Sequence, residues 1–108
     1  MSLKDWLRNG WLVEHKTSAG EITELLALAD RDLADCRVQG LSADWRLNIA
    51  YNAALQTSTA ALAARGYRAS REAHHFRVIQ SLALTVEADA GLVRQLDLFR
   101  KKKEYRRI

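Results

Sequence analysis

Hydrophobic positions in this chain recur every three or four residues with charges between them, and the rhythm breaks at a few glycines. The clearest run follows Ser18-Ala19-Gly20-Glu21, where Ser18 and Glu21 have the spacing of a capping box that satisfies otherwise orphaned backbone N–H groups. Ile22, Leu25, Leu26, Ala29, Leu33 and Cys36 then form one stripe, Glu24, Arg31 and Asp35 face away from it, and Gly40 supplies a left-handed stop. The pattern predicts a first principal helix with one apolar face directed at a core.

Ser42 is placed to cap a second helix, with Asp44 in its first turn near the positive end of the helix dipole. The stretch ADWRLNIAYNAALQTSTAALAAR continues for about six turns to Gly66. Leu47, Ala50, Tyr51, Ala54, Ser58, Ala61 and Leu62 share one side, and Ala53, Ala60, Ala63 and Ala64 surround it. A helix that is small and apolar on more than one face is predicted to be central, its alanines admitting close neighbours or a second copy of the chain. Ser70 is predicted to cap a third helix beginning near Arg71, on which His75, Phe76, Ile79, Leu82 and Ala83 share a side. A fourth opens at Asp89 or Ala90 and carries Leu92, Val93, Leu96 and Phe99.

Ahead of these, SLKDWLRNGWLVEH reads as a short amphipathic turn ended near Gly10, with Trp6, Trp11 and Leu12 closing one end of the fold. Period-two alternation is absent, so no strand is predicted. Four helices joined by short loops predict an all-α fold, an antiparallel up-and-down four-helix bundle with a short N-terminal helical segment. One domain spans 1–108, divided into a lid over 1–17, a bundle core over 18–99 and a basic C-terminal tail over 100–108.

Composition narrows the setting. With 48% hydrophobic and 28% charged residues the chain has the makeup of a packed globular protein. No apolar run approaches the roughly 18–20 residues of a membrane span, and the N-terminus lacks the layout of a secretory signal, so a cytoplasmic protein without membrane contact is expected. Cys36 is the single cysteine and reads as a small hydrophobe, which leaves no internal disulfide and no cysteine-based zinc cluster. The formal charge is +4, but the last nine residues, RKKKEYRRI, carry six basic residues against one acidic, and the remainder carries 11 basic against 12 acidic. The whole basic excess therefore sits at the C-terminus, where it can attract phosphates by counterion release.

The Ala-rich AYNAALQTSTAALAARGYR, a short loop, HH opening the next helix and a final helix running into FRKKKEYRRI together resemble the HEPN superfamily, over roughly Ser18 to Tyr105. The resemblance implies a four-helix bundle, often a homodimer and often encoded beside a nucleotidyltransferase-type partner in prokaryotic toxin and antitoxin pairs. It also implies one of two activities: metal-independent RNA cleavage, or binding of RNA or nucleotides without cleavage. Nucleases of the superfamily tend to carry an Arg followed four to six residues later by a His, usually with a polar residue such as Asn after the Arg and usually near the start of the last helix. The corresponding region here is RKKKEYRRI, which contains no His and no Asn.

The chemistry behind that pattern is simple: an imidazole accepts the proton of a ribose 2′-OH while a guanidinium steadies charge on the phosphate. Arg68 with His74 or His75 meets the spacing, but at the corner between the second and third helices. These three are the candidate catalytic residues. His75 shares a side with Ile79 and Leu82 and is expected to be packed, whereas His74, with Arg71 and Arg77 three residues to either side, is expected to be exposed. Arg65, Arg71 and Arg77 at this corner, and Arg100, Lys101, Lys102 and Lys103 at the chain end, are the candidate phosphate-binding residues, with Tyr67 as a stacking platform. His15, His74 and His75 have no metal-ligand spacing, and no glycine-rich loop follows a strand, so neither metal nor cofactor is expected. The sequence thus predicts a module that binds RNA, nucleotide phosphates or a partner protein, with RNA cleavage and a purely structural or antitoxin-binding role as the alternatives.

Overall fold

A computed structural model of the chain describes residues 1–105, with side chains through Lys103. The elements in chain order are α1 (Leu3–Arg8), β1 (Leu12–Glu14), α2 (Ala19–Asp35), α3 (Ala43–Ala64), β2 (Tyr67–Ala69), α4 (His74–Gln80), α5 (Leu82–Thr85) and α6 (Ala90–Tyr105). The protein is mainly helical, and no helix of the described residues is long and apolar enough to cross a membrane. Arg106 and Arg107, part of the basic tail, lie outside the described residues.

The two strands correct the expectation of a strand-free chain. β1 and β2 pair antiparallel, with Leu12 opposite Ala69, Val13 opposite Arg68 and Glu14 opposite Tyr67. Each strand is three residues long, too short to display an alternation, and the partners lie more than fifty residues apart. Left-handed glycines at Gly10 (φ +79°) and Gly66 (φ +89°) turn the chain into each strand. The His15 N–H donates to the Gly66 carbonyl at 2.8 Å and the Ser70 N–H to the Trp11 carbonyl at 3.0 Å, closing the ribbon at both ends.

The ribbon places Leu12 and Ala69 in a buried cluster with Leu3, Trp6, Leu62 and Val78. The N-terminal segment therefore packs on the end of α3 through a strand as well as a helix. A second cluster, Tyr51, Ile79, Leu82 and Val93, joins α3 to α4, α5 and α6, and Leu55 packs against both. Complete burial of a side chain such as Leu12 or Leu62 is worth roughly 1.5–3 kcal/mol, so α3 is the spine that both clusters stabilise.

Helix boundaries follow local chemistry. Ser42 caps α3 by accepting from the Trp45 N–H at 3.2 Å, and Asp89 accepts from the Leu92 N–H at 3.2 Å at the start of α6. Only half of the Ser18–Glu21 capping box forms: Ser18 Oγ accepts from the Glu21 N–H at 3.1 Å, but the Glu21 carboxylate turns to Thr17 and His15 instead. A complete capping box forms at Ser2 and Asp5. α2 stops at Asp35, short of Gly40, and Cys36 caps its end half-buried, its thiol donating to the Leu33 carbonyl at 3.2 Å.

The predicted third helix begins later than Ser70 and is broken. α4 starts at His74 after Ala73, which adopts a left-handed φ of 53° with no side-chain cap, and Ser81 separates α4 from α5. The hydroxyl of Ser81 is buried and donates to the Val78 carbonyl at 2.6 Å. α6 runs on through the predicted tail as far as Tyr105. α2 packs along α3, and Ala29 is its one buried residue; Leu26 and Leu33, expected to face a core, remain 43% and 41% exposed.

Candidate phosphate-binding corner

α3 ends at Arg65 as its C-terminal cap, Gly66 reverses the chain, and β2 then exposes alternate side chains to opposite faces. Ala69 points inward, while Arg68, opposite Val13, is exposed. The Ser70 N–H and hydroxyl both donate to the Trp11 carbonyl, at 3.0 and 3.1 Å, which pins the chain just before Arg71 emerges into solvent. Arg65, Arg68 and Arg71 are all exposed, and no ion pair joins them to a carboxylate among the described residues. Arg65 is oriented by a bond from Nη2 to the Thr85 carbonyl at 3.1 Å.

His74 and His75 open α4, and both are exposed. The expectation that His75 would be packed is corrected: it stands in the first turn, beyond the level at which Val78 and Ile79 enter the core. His74 Nδ1 lies 3.1 Å from the Ser70 carbonyl, which only accepts, so Nδ1 carries the proton and Nε2 is the unprotonated nitrogen of the neutral ring. The two imidazoles meet edge to face at 5.8 Å.

Arg77 is directed inward. Its guanidinium carbon lies 3.7 Å from the Trp11 ring centroid, 5.7 Å from Trp6 and 5.1 Å from Phe76. Arg100 comes to the same Phe76 ring at 5.4 Å, and its Nε donates to Asp97 Oδ1 at 2.8 Å, with both side chains nearly closed to solvent. These two arginines, assigned from sequence to separate basic patches, thus converge on one aromatic ring and hold α4 against α6. Lys101 reaches Asp97 Oδ2 at 3.6 Å from an exposed position, and Lys102 is exposed. Lys103 donates to Asn52 Oδ1 at 3.4 Å and lies 5.2 Å from the Tyr51 ring.

A cleft of about 500 Å³ lies beside this corner. Leu3 and Lys4 of α1, Arg65, Tyr67 and Leu84 line it, and none of the residues lining it is acidic. Lys4 and Arg65 are some sixty positions apart, so no local spacing signals their approach. A second depression, of about 280 Å³, is almost wholly apolar and runs between Leu33 of α2, Ala50, Ala53 and Ala54 of α3, and Leu92 and Leu96 of α6. Among the described residues no group of three His, Cys, Asp or Glu side chains is placed to hold a metal ion. Mid-helix hydroxyls of α3 are turned onto their own backbone: Thr57, Ser58 and Thr59 donate to carbonyls four residues back at 2.9, 2.6 and 2.8 Å.

The Glu21 carboxylate, away from the corner, is tuned by its surroundings. The Thr17 hydroxyl, and then the His15 ring, each 2.7 Å from Glu21 Oε1, hold the Glu21 carboxyl below its ordinary range. Comparison of the chain with protein-family models, curated proteins and solved structures finds no match.

Proposed function

We propose that the chain is a HEPN-like module, with α2, α3, the broken α4–α5 and α6 as its four bundle helices, that binds RNA or nucleotide phosphates at the corner where α3 leads through β2 into α4. The observation that carries this reading is the trio Arg65, Arg68 and Arg71: exposed, within seven residues, and joined to no carboxylate among the described residues. Such cations exchange condensed counterions for phosphate contacts, and exposed Lys101 and Lys102 add to the attraction. The resemblance supports a cytoplasmic toxin and antitoxin or defence setting. Fluorescence anisotropy of a labelled RNA oligonucleotide tests the reading: affinity falls steeply between about 50 and 200 mM salt, and Arg68→Ala with Arg71→Ala weakens it. Salt-independent binding, or none at low salt, rejects it.

Two observations favour further roles. His74 presents Nε2 as a base from an exposed ring, which supports metal-independent RNA cleavage by Arg68 with His74 or His75. Cleavage in EDTA that is lost in His74→Ala would establish it, and intact RNA would exclude it. The apolar depression between α2, α3 and α6, with Leu92 49% exposed, supports a protein contact made by a second copy of the chain. Light scattering distinguishes a homodimer from a monomer that waits for a nucleotidyltransferase-type partner.

A further inference from the structure

We propose that the cleft between α1, the end of α3, β2 and α5 takes an unpaired nucleobase of RNA, with the adjoining phosphate held by Arg65 and Lys4. The inference rests on the reading of the neighbouring corner as a phosphate site and names what that corner selects.

The volume, about 500 Å³, falls within the roughly 300–1,000 Å³ usual for small-ligand sites. Its walls combine three chemistries. Leu3 and Leu84 offer hydrocarbon, Tyr67 offers a half-buried ring from β2, and Lys4 and Arg65 supply two cations. A free inorganic phosphate would satisfy the cations and leave the apolar wall wet. An uncharged hydrocarbon chain would cover the wall and leave the cations without a partner. A nucleotide, flat and apolar at one end and anionic at the other, meets both needs.

The cations are prepared for this task. The bond from Arg65 Nη2 to the Thr85 carbonyl fixes the guanidinium while leaving its remaining N–H donors for a phosphate, so little side-chain entropy is lost on binding. Lys4 has no carboxylate partner among the described residues. Arg68, the next residue after Tyr67, points to the opposite face of β2, where it can meet a phosphate further along the strand. A base still paired in a duplex cannot enter such a cleft without leaving its stack, so the site selects single-stranded RNA.

The test compares binding of one short labelled RNA as a single strand and as a duplex, with AMP and inorganic phosphate as competitors at matched ionic strength. Lys4→Glu changes an exposed side chain only, and Tyr67→Leu keeps apolar packing while removing the ring; thermal melting confirms that both fold. The expected result is at least about tenfold tighter binding of the single strand, displacement by AMP and not by phosphate, and about tenfold weaker single-strand binding in each variant with duplex binding unchanged, in line with loss of one base stack. Equal affinity for both RNA forms, or wild-type affinity in both variants, overturns the cleft assignment while Arg68→Ala can still uphold the corner. Absence of binding to any RNA at low salt removes both.

Discussion

The guanidinium of Arg77 lies face-on to the indole of Trp11, 3.7 Å from its centroid, with Trp6 and Phe76 completing an aromatic surround. The contact ties α4 to the segment preceding β1. Stacking of this kind is worth roughly 0.5–2 kcal/mol, and the buried stem of the side chain adds packing. Arg77→Ala is therefore expected to lower stability by about 1–2 kcal/mol in urea unfolding, with Arg77→Lys recovering part of the loss. RNA affinity at low salt should change less than in Arg68→Ala.

Asp97 and Arg100 form the best-enclosed ion pair among the described residues, 11% and 13% exposed at the side chain. Removing Asp97 takes away the carboxylate that Arg100 and Lys101 share, in a poorly solvated place. Asp97→Ala should cost about 3–5 kcal/mol, a large part of the stability of a small domain. Replacing both residues with leucine should recover much of that cost. Denaturant midpoints of the two single variants and the double variant provide the check.

Glu21 makes stability sensitive to acid. Its folded pKa is depressed below the ordinary value of 4.5, first by the Thr17 hydroxyl and then by His15, so the folded state binds a proton less readily than the unfolded chain. The resulting stability is present in full above that ordinary value and is lost as pH falls through the folded one. Glu21→Gln should lower the melting temperature at neutral pH and flatten its decline on acidification. An acid limb as steep as that of the wild type would contradict the assignment.

Cations at the corner and cations within the fold should separate in their salt dependence. Arg68→Ala and Arg71→Ala are each expected to reduce the slope of log affinity against log salt by about one while leaving the melting temperature unchanged. Arg100→Ala should do the reverse, because its guanidinium is bound to Asp97 and Phe76.

Local patterns made much of this architecture legible. Ser42 caps the helix it was expected to cap, α6 opens at Ala90 within the expected pair, and α3 is the central element its many alanines implied. His74 is exposed, as its arginine neighbours suggested. Less was legible at α4, where a left-handed Ala73 delays the helix and carries His75 clear of the core that its spacing to Ile79 predicted. The candidate site was half visible: Arg65, Arg68, Arg71 and Tyr67 are consecutive features of one corner, whereas Lys4 and Leu84 reach it from distant parts of the chain.

By itself the sequence determined which stretches are helical, where most of them start and where positive charge accumulates, because capping, periodicity and charge depend on residues within about one or two turns of each other. Tertiary structure alone decided that Leu12 pairs with Ala69, that Arg77 and Arg100 meet at Phe76, and that Lys4 and Tyr67 line one cleft. Those relationships join residues far apart along the chain, and they arise only when burial of the two apolar clusters around α3 brings their segments together.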